Sequence, residues 1–261
     1  MSKINIKIIN REGMTLIEKE GNDEVNLVYL AEYQEGDYIV VEAEDCPNYY
    51  YMQLDDAKGS SHVYLTGVVK YMIPFGEKRV NTSPKVFLGS KHVIWVKKVL
   101  EEEKQNYRNL SENVWDQHGE IKCYPHASAN VETRGESVFA ALNAIDGVTV
   151  SESHGAWPYE SWGINRREDA TWKLEFGRPV DMDKLVIYTR ADFPHDNWWE
   201  KISVTFSDGS KEVLKLKKGG EAQVFEMKKD KIEWLEIGEL IKADEPSPFP
   251  ALTQLQVYGR G

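Results

Sequence analysis

The chain has 261 residues and a mass of 30.0 kDa, which is enough for one large domain or two ordinary domains with substantial cores. Its 32 basic and 43 acidic residues leave a net charge of −11, and this sign opposes binding to nucleic acid. Apolar residues make up 41% and aromatic residues 11%, which excludes a disordered chain, and no run of about 18 apolar residues predicts a membrane span. We therefore expect a folded protein whose partners include neither nucleic acid nor membrane.

The first residues and the cysteines bear on where the protein works. Residues 1–10 alternate polar and apolar side chains and lack the hydrophobic stretch and cleavage site of a signal peptide. Cys46 and Cys123 are far apart and are expected in different domains, so a structural disulfide is not predicted. Together these features favour a cytoplasmic location.

Along the first hundred residues, apolar and polar side chains alternate with a period of two, the pattern of half-buried β-strands. Ile4, Ile6 and Ile8 alternate with Asn5 and Lys7. Further apolar runs cover residues 27–33, 38–41, 49–54, 63–65, 68–75, 86–88 and 93–96. Glycines separate these runs, and the spacing predicts a β-sandwich domain over residues 1–105, with strands enough for a second jelly roll. The sequence predicts no role for this domain.

The pattern changes between residues 97 and 120, where a charged run and a stretch rich in Asn and Gln indicate a connector. Alternation then returns at Trp172, Leu174 and Phe176. Later predicted strands cover residues 185–189, 202–206, 213–216, 232–237 and 255–257. We predict an all-β protein of two β-sandwich domains, residues 1–105 and 106–261, the second including the connector.

One helix is predicted within the second half. Thr133 and Glu136 have the spacing of a capping box, in which the Thr hydroxyl accepts a backbone amide proton and the Glu side chain reaches back to the first amide. Val138, Ala141 and Ile145 follow at helical spacing. We therefore expect about two helical turns at one end of the sandwich.

Four motifs in the second half occur in the order and spacing typical of one family. They are residues 127–129, residues 142–147, Trp162 followed by residues 170–180, and residues 255–259. Through these motifs the chain from about His126 resembles the discoidin-like, galactose-binding-like domains, which include coagulation-factor type C domains and family 32 carbohydrate-binding modules. The resemblance implies a galactose-binding-like jelly roll for the C-terminal domain.

The resemblance also implies what such a domain binds. Relatives bind ligands, commonly sugars, through loops at one end of the sandwich, and many hold a calcium ion beside the loop that Asp146 occupies here. Gln254 and Gln256 stand where relatives often have Glu, which removes a negative charge and lowers the expected calcium affinity. Calcium at Asp146 is thus the candidate cofactor, and a plain turn at Asp146 is the alternative.

Two segments, residues 153–162 and 189–200, concentrate side chains suited to sugar binding. The candidate binding residues are His154, Trp157, Arg190, Asp192, His195, Asp196 and Trp198. Aromatic rings would stack on sugar C–H faces, while the charged and imidazole groups would bind hydroxyls. The alternative for Arg190 is an internal ion pair with Asp192 or Asp196 that holds the loop. Arg166 is a candidate rim contact, whereas structural roles are favoured for His126 and Arg134.

The predicted function is non-catalytic carbohydrate binding by these loops. One alternative is a sugar-active enzyme, a hydrolase or lyase, with Asp192 and His195 as acid and base between the domains. Another is a protein-interaction module with a flat aromatic patch. No nucleophile elbow, phosphate-binding glycine loop or metal-binding His and Cys motif occurs in the sequence. The prediction requires the two segments to meet at one end of the sandwich and leave an open pocket.

Overall fold

The computed structural model describes residues 1–119, 121–152, 155, 157–190 and 196–261. The predicted all-β class is confirmed, because strands dominate and the described helices are short 3-10 segments. These helices are Gly76–Arg79, Glu101–Glu103, Thr133–Gly135, Ser137–Phe139 and Ala141–Ile145. None of the helices in the described ranges is long and apolar enough to cross a membrane.

The strands are numbered in chain order. The first ten are β1 (Lys3–Ile9), β2 (Thr15–Asn22), β3 (Glu24–Tyr29), β4 (Tyr38–Ala43), β5 (Asn48–Gln53), β6 (Ser61–Leu65), β7 (Val69–Met72), β8 (His92–Lys98), β9 (Arg108–Asn109) and β10 (Cys123–Tyr124). The others are β11 (His126–Ala129), β12 (Trp162–Gly163), β13 (Trp172–Arg190), β14 (Trp199–Phe206), β15 (Lys211–Lys215), β16 (Gln223–Lys242) and β17 (Ala251–Arg260).

Two antiparallel sheets form the N-terminal half, in the orders β2-β1-β4-β7 and β10-β6-β5-β8-β3. The period-two pattern of β1 predicted one buried face, and Ile4, Ile6 and Ile8 on that face are fully buried. They share one core with Leu27 of β3 and Ile94 of β8, which belong to the other sheet. Fully burying each such side chain stabilises the fold by about 1.5–3 kcal/mol.

One large antiparallel sheet forms the C-terminal half, in the order β12-β17-β13-β16-β14-β15, with β11 added to β13 and β9 to β17. The 19-residue strand β13 supplies Trp172 and Phe176 before a register shift and Leu185 after it, and all three lie in one core. Gly177 at this shift has φ of +69°, and a Cβ there would lie 2.4 Å from Cγ of Tyr124. A glycine is therefore needed where β13 changes direction.

The predicted two-turn helix with a capping box is wrong. Residues 133–145 instead form three separate 3-10 segments, and Arg134 lies in the left-handed region with φ of 53°. The Thr133 hydroxyl accepts a hydrogen bond from the Asn165 amide at 2.9 Å, while Glu136 pairs with Arg134. One tertiary contact and one local ion pair thus use both side chains that the capping box needed.

The connector contributes to both halves. Strand β9 pairs with β17 of the C-terminal sheet, after which Val114 and Trp115 pack into the N-terminal core and β10 pairs with β6. Cys123 is buried in that core and Cys46 packs against it, so the expectation that the two cysteines lie in different domains is wrong. The two hydrophobic cores consist of different residues. The connector first pairs with the C-terminal sheet and then packs into the N-terminal core.

Polar contacts join the two halves close to residues 137–146. Nδ2 of Asn81 donates a buried hydrogen bond to Oδ1 of Asn143 at 2.8 Å, and the Ser137 hydroxyl donates to the Glu77 carbonyl at 2.6 Å. A buried donor and acceptor that satisfy each other avoid the free-energy penalty of desolvated, unpaired groups. The N-terminal segment around residues 77–81 is therefore attached to the C-terminal domain through specific hydrogen bonds.

A histidine of the connector pairs with a carboxylate of the C-terminal domain. Nε2 of His118 lies 2.9 Å from Oε2 of Glu132, and this hydrogen bond raises the pKa of His118. Burial favours the neutral form of Glu132, but hydrogen bonds donated by His118 and by the Ala141 amide outweigh it and lower the pKa of Glu132. The hydrogen bond thus favours the charged form of both partners.

Glu132→Gln should lower the pKa of His118, because it removes the charge that favours the imidazolium. With a raised pKa in the folded state, His118 contributes stability that is complete below about pH 6.5 and is lost as pH rises through its raised pKa. Glu132 loses its own contribution as pH falls through its lowered pKa. Imidazole NMR titration measures the His118 pKa in both proteins. An unchanged His118 pKa in the variant would contradict the pairing.

Candidate functional site

Arg190 lies at the end of β13, opposite Ala251 at the start of β17. Its side chain is only 4% exposed. Nη2 donates to Oδ1 of Asp196 at 3.0 Å, and Nη1 donates to the Tyr159 carbonyl at 3.3 Å. The ion pair with Asp196 is one of the two arrangements that the sequence left open. Because Tyr159 belongs to residues 153–162, the two predicted segments touch at this end of the sandwich.

The third guanidinium nitrogen of Arg190, Nε, donates no hydrogen bond to the described residues. Nε is buried and has no hydrogen-bond partner among the described residues. An unpaired buried donor costs about 1–3 kcal/mol, so few such groups remain in native structures. Its carboxylate partner Asp196 is itself fully buried at the side chain, which places Asp196 as a group that positions Arg190.

Arg190 lines a cavity of about 140 Å³ between three segments of the domain. The other lining residues are Thr133, Arg134, Phe139, Gly163, Ile164, Asn165, Arg166, Pro248, Phe249, Pro250 and Ala251. Its walls combine aromatic rings and prolines with guanidinium groups, the mixture typical of small-ligand sites.

Each arginine of this cavity lies near an aromatic ring. The guanidinium carbon of Arg166 is 4.7 Å from the centroid of Phe249, and those of Arg134 and Arg190 are 5.5 and 5.7 Å from that of Phe139. Such cation–π contacts contribute about 0.5–1 kcal/mol at exposed positions. Arg134 also forms an ion pair with Glu136, at 2.5 Å between Nε and Oε1.

The backbone around the cavity is unusual. Arg134, Asn165 and Arg166 have φ of 53°, 49° and 62°, and all three line the cavity. Residues other than glycine rarely adopt this region, and such strain collects where surrounding structure or function requires it. These conformations bring two exposed arginines to the rim of one hollow.

The structure does not bring all the predicted residues to this cavity. Trp157 is 37% exposed and lies near Glu160. Burial raises the pKa of Glu160, and a hydrogen bond with Trp157 offsets part of this rise. Trp198 is half-buried, and its indole Nε1 donates to Oε1 of Glu245 at 3.2 Å, outside the lining residues. His154, Asp192 and His195 lie outside the described residues.

Sequence reasoning missed Phe139 and Phe249. Phe249 stands between two prolines directly before β17, and a proline-flanked aromatic side chain ahead of a closing strand is a signal that could have identified it. Phe139 carried no such signal, since its spacing agreed equally well with a buried helical position.

The calcium candidate Asp146 is buried and hydrogen-bonded. Nε2 of Gln254 donates to Oδ1 of Asp146 at 2.6 Å and to the Asn143 carbonyl at 2.5 Å, while its Oε1 accepts from the Gly147 amide at 3.2 Å. The amide orientation is determined by these backbone groups, because a carbonyl only accepts and an N–H only donates. The Gln254 NH₂ group therefore occupies the oxygens that a calcium ion would need.

The electrostatics agree with this arrangement. Burial, followed by the charge of Glu160, raises the pKa of Asp146, and burial lowers the pKa of Lys58, which reaches the same region from the N-terminal half. In the described part of the chain, no three His, Cys, Asp or Glu side chains are grouped to hold a metal ion. Calcium prefers six to eight oxygen ligands, whereas Gln254 presents an NH₂ group to Asp146.

Gln254→Glu should make the protein sensitive to calcium. The change places a second carboxylate beside Asp146, so we expect the melting temperature to fall by about 5 °C in calcium-free buffer and to recover with millimolar CaCl₂. Gln105→Glu, an equal change of charge at an exposed position of the connector, is the control. Differential scanning calorimetry of the three proteins with and without CaCl₂ measures the effect. Stabilisation of the wild-type protein by calcium would contradict our interpretation of Gln254.

Asp196→Ala should destabilise the domain strongly. The variant leaves the buried guanidinium of Arg190 without its counter-charge, so the free energy of unfolding should fall by about 3–5 kcal/mol in urea denaturation. Adding Arg190→Met to the same variant should recover part of the loss, since no charge then remains buried. A single variant as stable as the wild type would show that this ion pair does not hold the loop.

No protein-family model and no curated protein sequence matches the chain. Similar solved structures include the lectin domain of lectinolysin complexed with Lewis B antigen, with 16% identity, a TM-score of 0.44, and coverage of 59% of this chain and 98% of that one. The family 32 carbohydrate-binding module of C. perfringens NanJ in complex with galactose has 17% identity and a TM-score of 0.38, covering 51% and 91%. The F5/8 type C domain of a Bacteroides fragilis protein has 12% identity and a TM-score of 0.39, covering 51% and 90%.

These solved structures are of the kinds that the sequence motifs resemble. The sugars named with them are ligands of those proteins. The function of this chain has to be argued from its own residues.

Proposed function

We propose that this protein binds carbohydrate without transforming it, and that the sugar sits in the cavity at the loop end of the C-terminal domain. The observation that carries the proposal is Arg190, a guanidinium 4% exposed that lines a cavity walled by the rings of Phe139 and Phe249.

The chemistry of the walls suits a sugar. The C–H face of a pyranose packs on an aromatic ring, and Phe139 and Phe249 supply such rings. Hydroxyl groups need directed donors and acceptors, which Arg190 and the Thr133 hydroxyl provide. A site with apolar walls and a few polar groups selects a ligand by orientation more than by buried area.

Arg190 is positioned before any ligand arrives. Asp196 and the Tyr159 carbonyl hold two of its nitrogens, so little side-chain freedom remains to be lost on binding. In this proposal Asp196 acts through Arg190 and does not touch the sugar. The roles of Trp157 as an exposed platform at the same end, and of His154, Asp192, His195 and Trp198 as further contacts, stay part of the proposal.

Phe249→Ala should weaken sugar binding about three- to tenfold, because it removes the ring on which the sugar would stack. The measurement is isothermal titration against a panel of mono- and oligosaccharides, with wild-type dissociation constants expected near the millimolar range, since an exposed polar site exchanges water for hydroxyls with little net gain. Tyr107→Ala removes an exposed ring at a different hollow and serves as the matched control.

The same panel tests the proposal as a whole. Trp157→Ala, measured alongside, shows whether the exposed indole adds a second platform. Absence of binding to every sugar at millimolar concentration would overturn the proposal, as would equal binding by wild-type protein and Phe249→Ala. Release of new reducing ends from the oligosaccharides would contradict the non-catalytic assignment and favour a sugar-active enzyme.

A further inference from the structure

We propose that the preferred ligand of this cavity is an anionic saccharide, one that carries a carboxylate such as a uronic acid. This inference rests on the proposed function and narrows its ligand class. It is carried by the charges of the cavity wall. Arg134, Arg166 and Arg190 line the cavity, and no acidic residue is among the described residues that line it.

Two of these arginines already have carboxylate partners. Arg134 pairs with Glu136 and Arg190 with Asp196. No ion pair of Arg166 is found within the described ranges, although the neighbouring Arg167 pairs with Asp169 at 2.8 Å. The cavity wall therefore carries one positive charge that the protein itself does not neutralise, at an exposed position on the rim.

Arg166 is placed to act together with the stacking ring. Its guanidinium carbon lies 4.7 Å from the Phe249 centroid. The backbone of Arg166 itself is in the left-handed region, with φ of 62°. A guanidinium can keep its flat face on an aromatic ring while its edge donates two parallel hydrogen bonds to a carboxylate. A sugar acid in the cavity could thus meet an aromatic wall and a carboxylate-binding edge within one hollow.

The charge at the cavity opposes that of the rest of the protein. The whole chain carries −11, which repels anions from most of its surface. A larger hollow of about 620 Å³ elsewhere on the domain is lined by Asp181, Asp183, Glu226 and Asp230, with Lys228 and Arg260 as its basic residues. An anionic sugar is therefore attracted at the arginine-lined cavity and disfavoured at the acidic hollow.

The test compares sugars that differ in one carboxylate. Galactose against galacturonate and glucose against glucuronate are titrated into the full-length protein at low salt, and galactose 6-sulfate is added to distinguish a carboxylate from a sulfate ester. In at least one pair, we expect the uronate to bind about tenfold more tightly than its neutral partner. This preference should shrink in 0.5 M NaCl, because the rim charge is exposed to solvent.

Arg166→Gln should bring the ratio of the two dissociation constants close to one. Arg167→Gln is the matched control: it changes the net charge equally, one residue away, at a side chain that does not line the cavity. Equal effects of the two variants, or a uronate preference that survives Arg166→Gln, would overturn the inference. Tight binding of the sulfate ester as well as the uronate would support recognition of charge, and tight binding of the uronate alone would support recognition of the planar carboxylate.

The two proposals fail in different ways. Neutral sugars and uronates that bind with the same affinity would overturn the preference for an anionic ligand and leave carbohydrate binding intact. Absence of binding by any sugar, charged or neutral, would overturn both.

Discussion

The buried ion pair between Arg190 and Asp196 is the constraint on which this end of the domain depends. A guanidinium that leaves water loses several kcal/mol of solvation, so it must be neutralised and hydrogen-bonded where it is buried. Asp196 supplies the charge and the Tyr159 carbonyl a second acceptor. Both loop segments are thereby drawn to the end of β13. With its guanidinium held in this way, Arg190 forms part of the cavity wall.

A second constraint shapes the neighbouring region at Asp146. The buried carboxylate is satisfied by an amide of the closing strand, and a lysine from the other half of the chain lies close enough to influence its charge. The hydrogen bond from Gln254 satisfies an oxygen of Asp146 that a bound metal ion would otherwise contact. The C-terminal domain is then stabilised by contacts within the chain, among them the hydrogen bonds that join Asn81 to Asn143.

Particular elements show why sequence patterns succeeded or failed. The alternation in β1 predicted its buried face correctly, because a strand in a two-layer sandwich has one face buried in the core and one face exposed to solvent. The capping box at Thr133 failed because Asn165, distant in sequence, donates to the Thr hydroxyl. Cys123 was assigned to the wrong domain because the connector returns to the N-terminal core after β9 has paired with β17. Local propensity cannot anticipate such contacts.

From the sequence alone, the all-β class and the resemblance of the C-terminal half could be inferred, and Arg190 could be named as a candidate site residue, since alternation, motif order and the density of polar residues after a strand are local properties. Only the tertiary structure decided which acid neutralises Arg190, which rings wall the cavity and how Gln254 is oriented. Each of these depends on side chains from segments far apart in the chain. Their meeting is set by the register of β13 with β17 and by how the loops pack at the end of the sandwich.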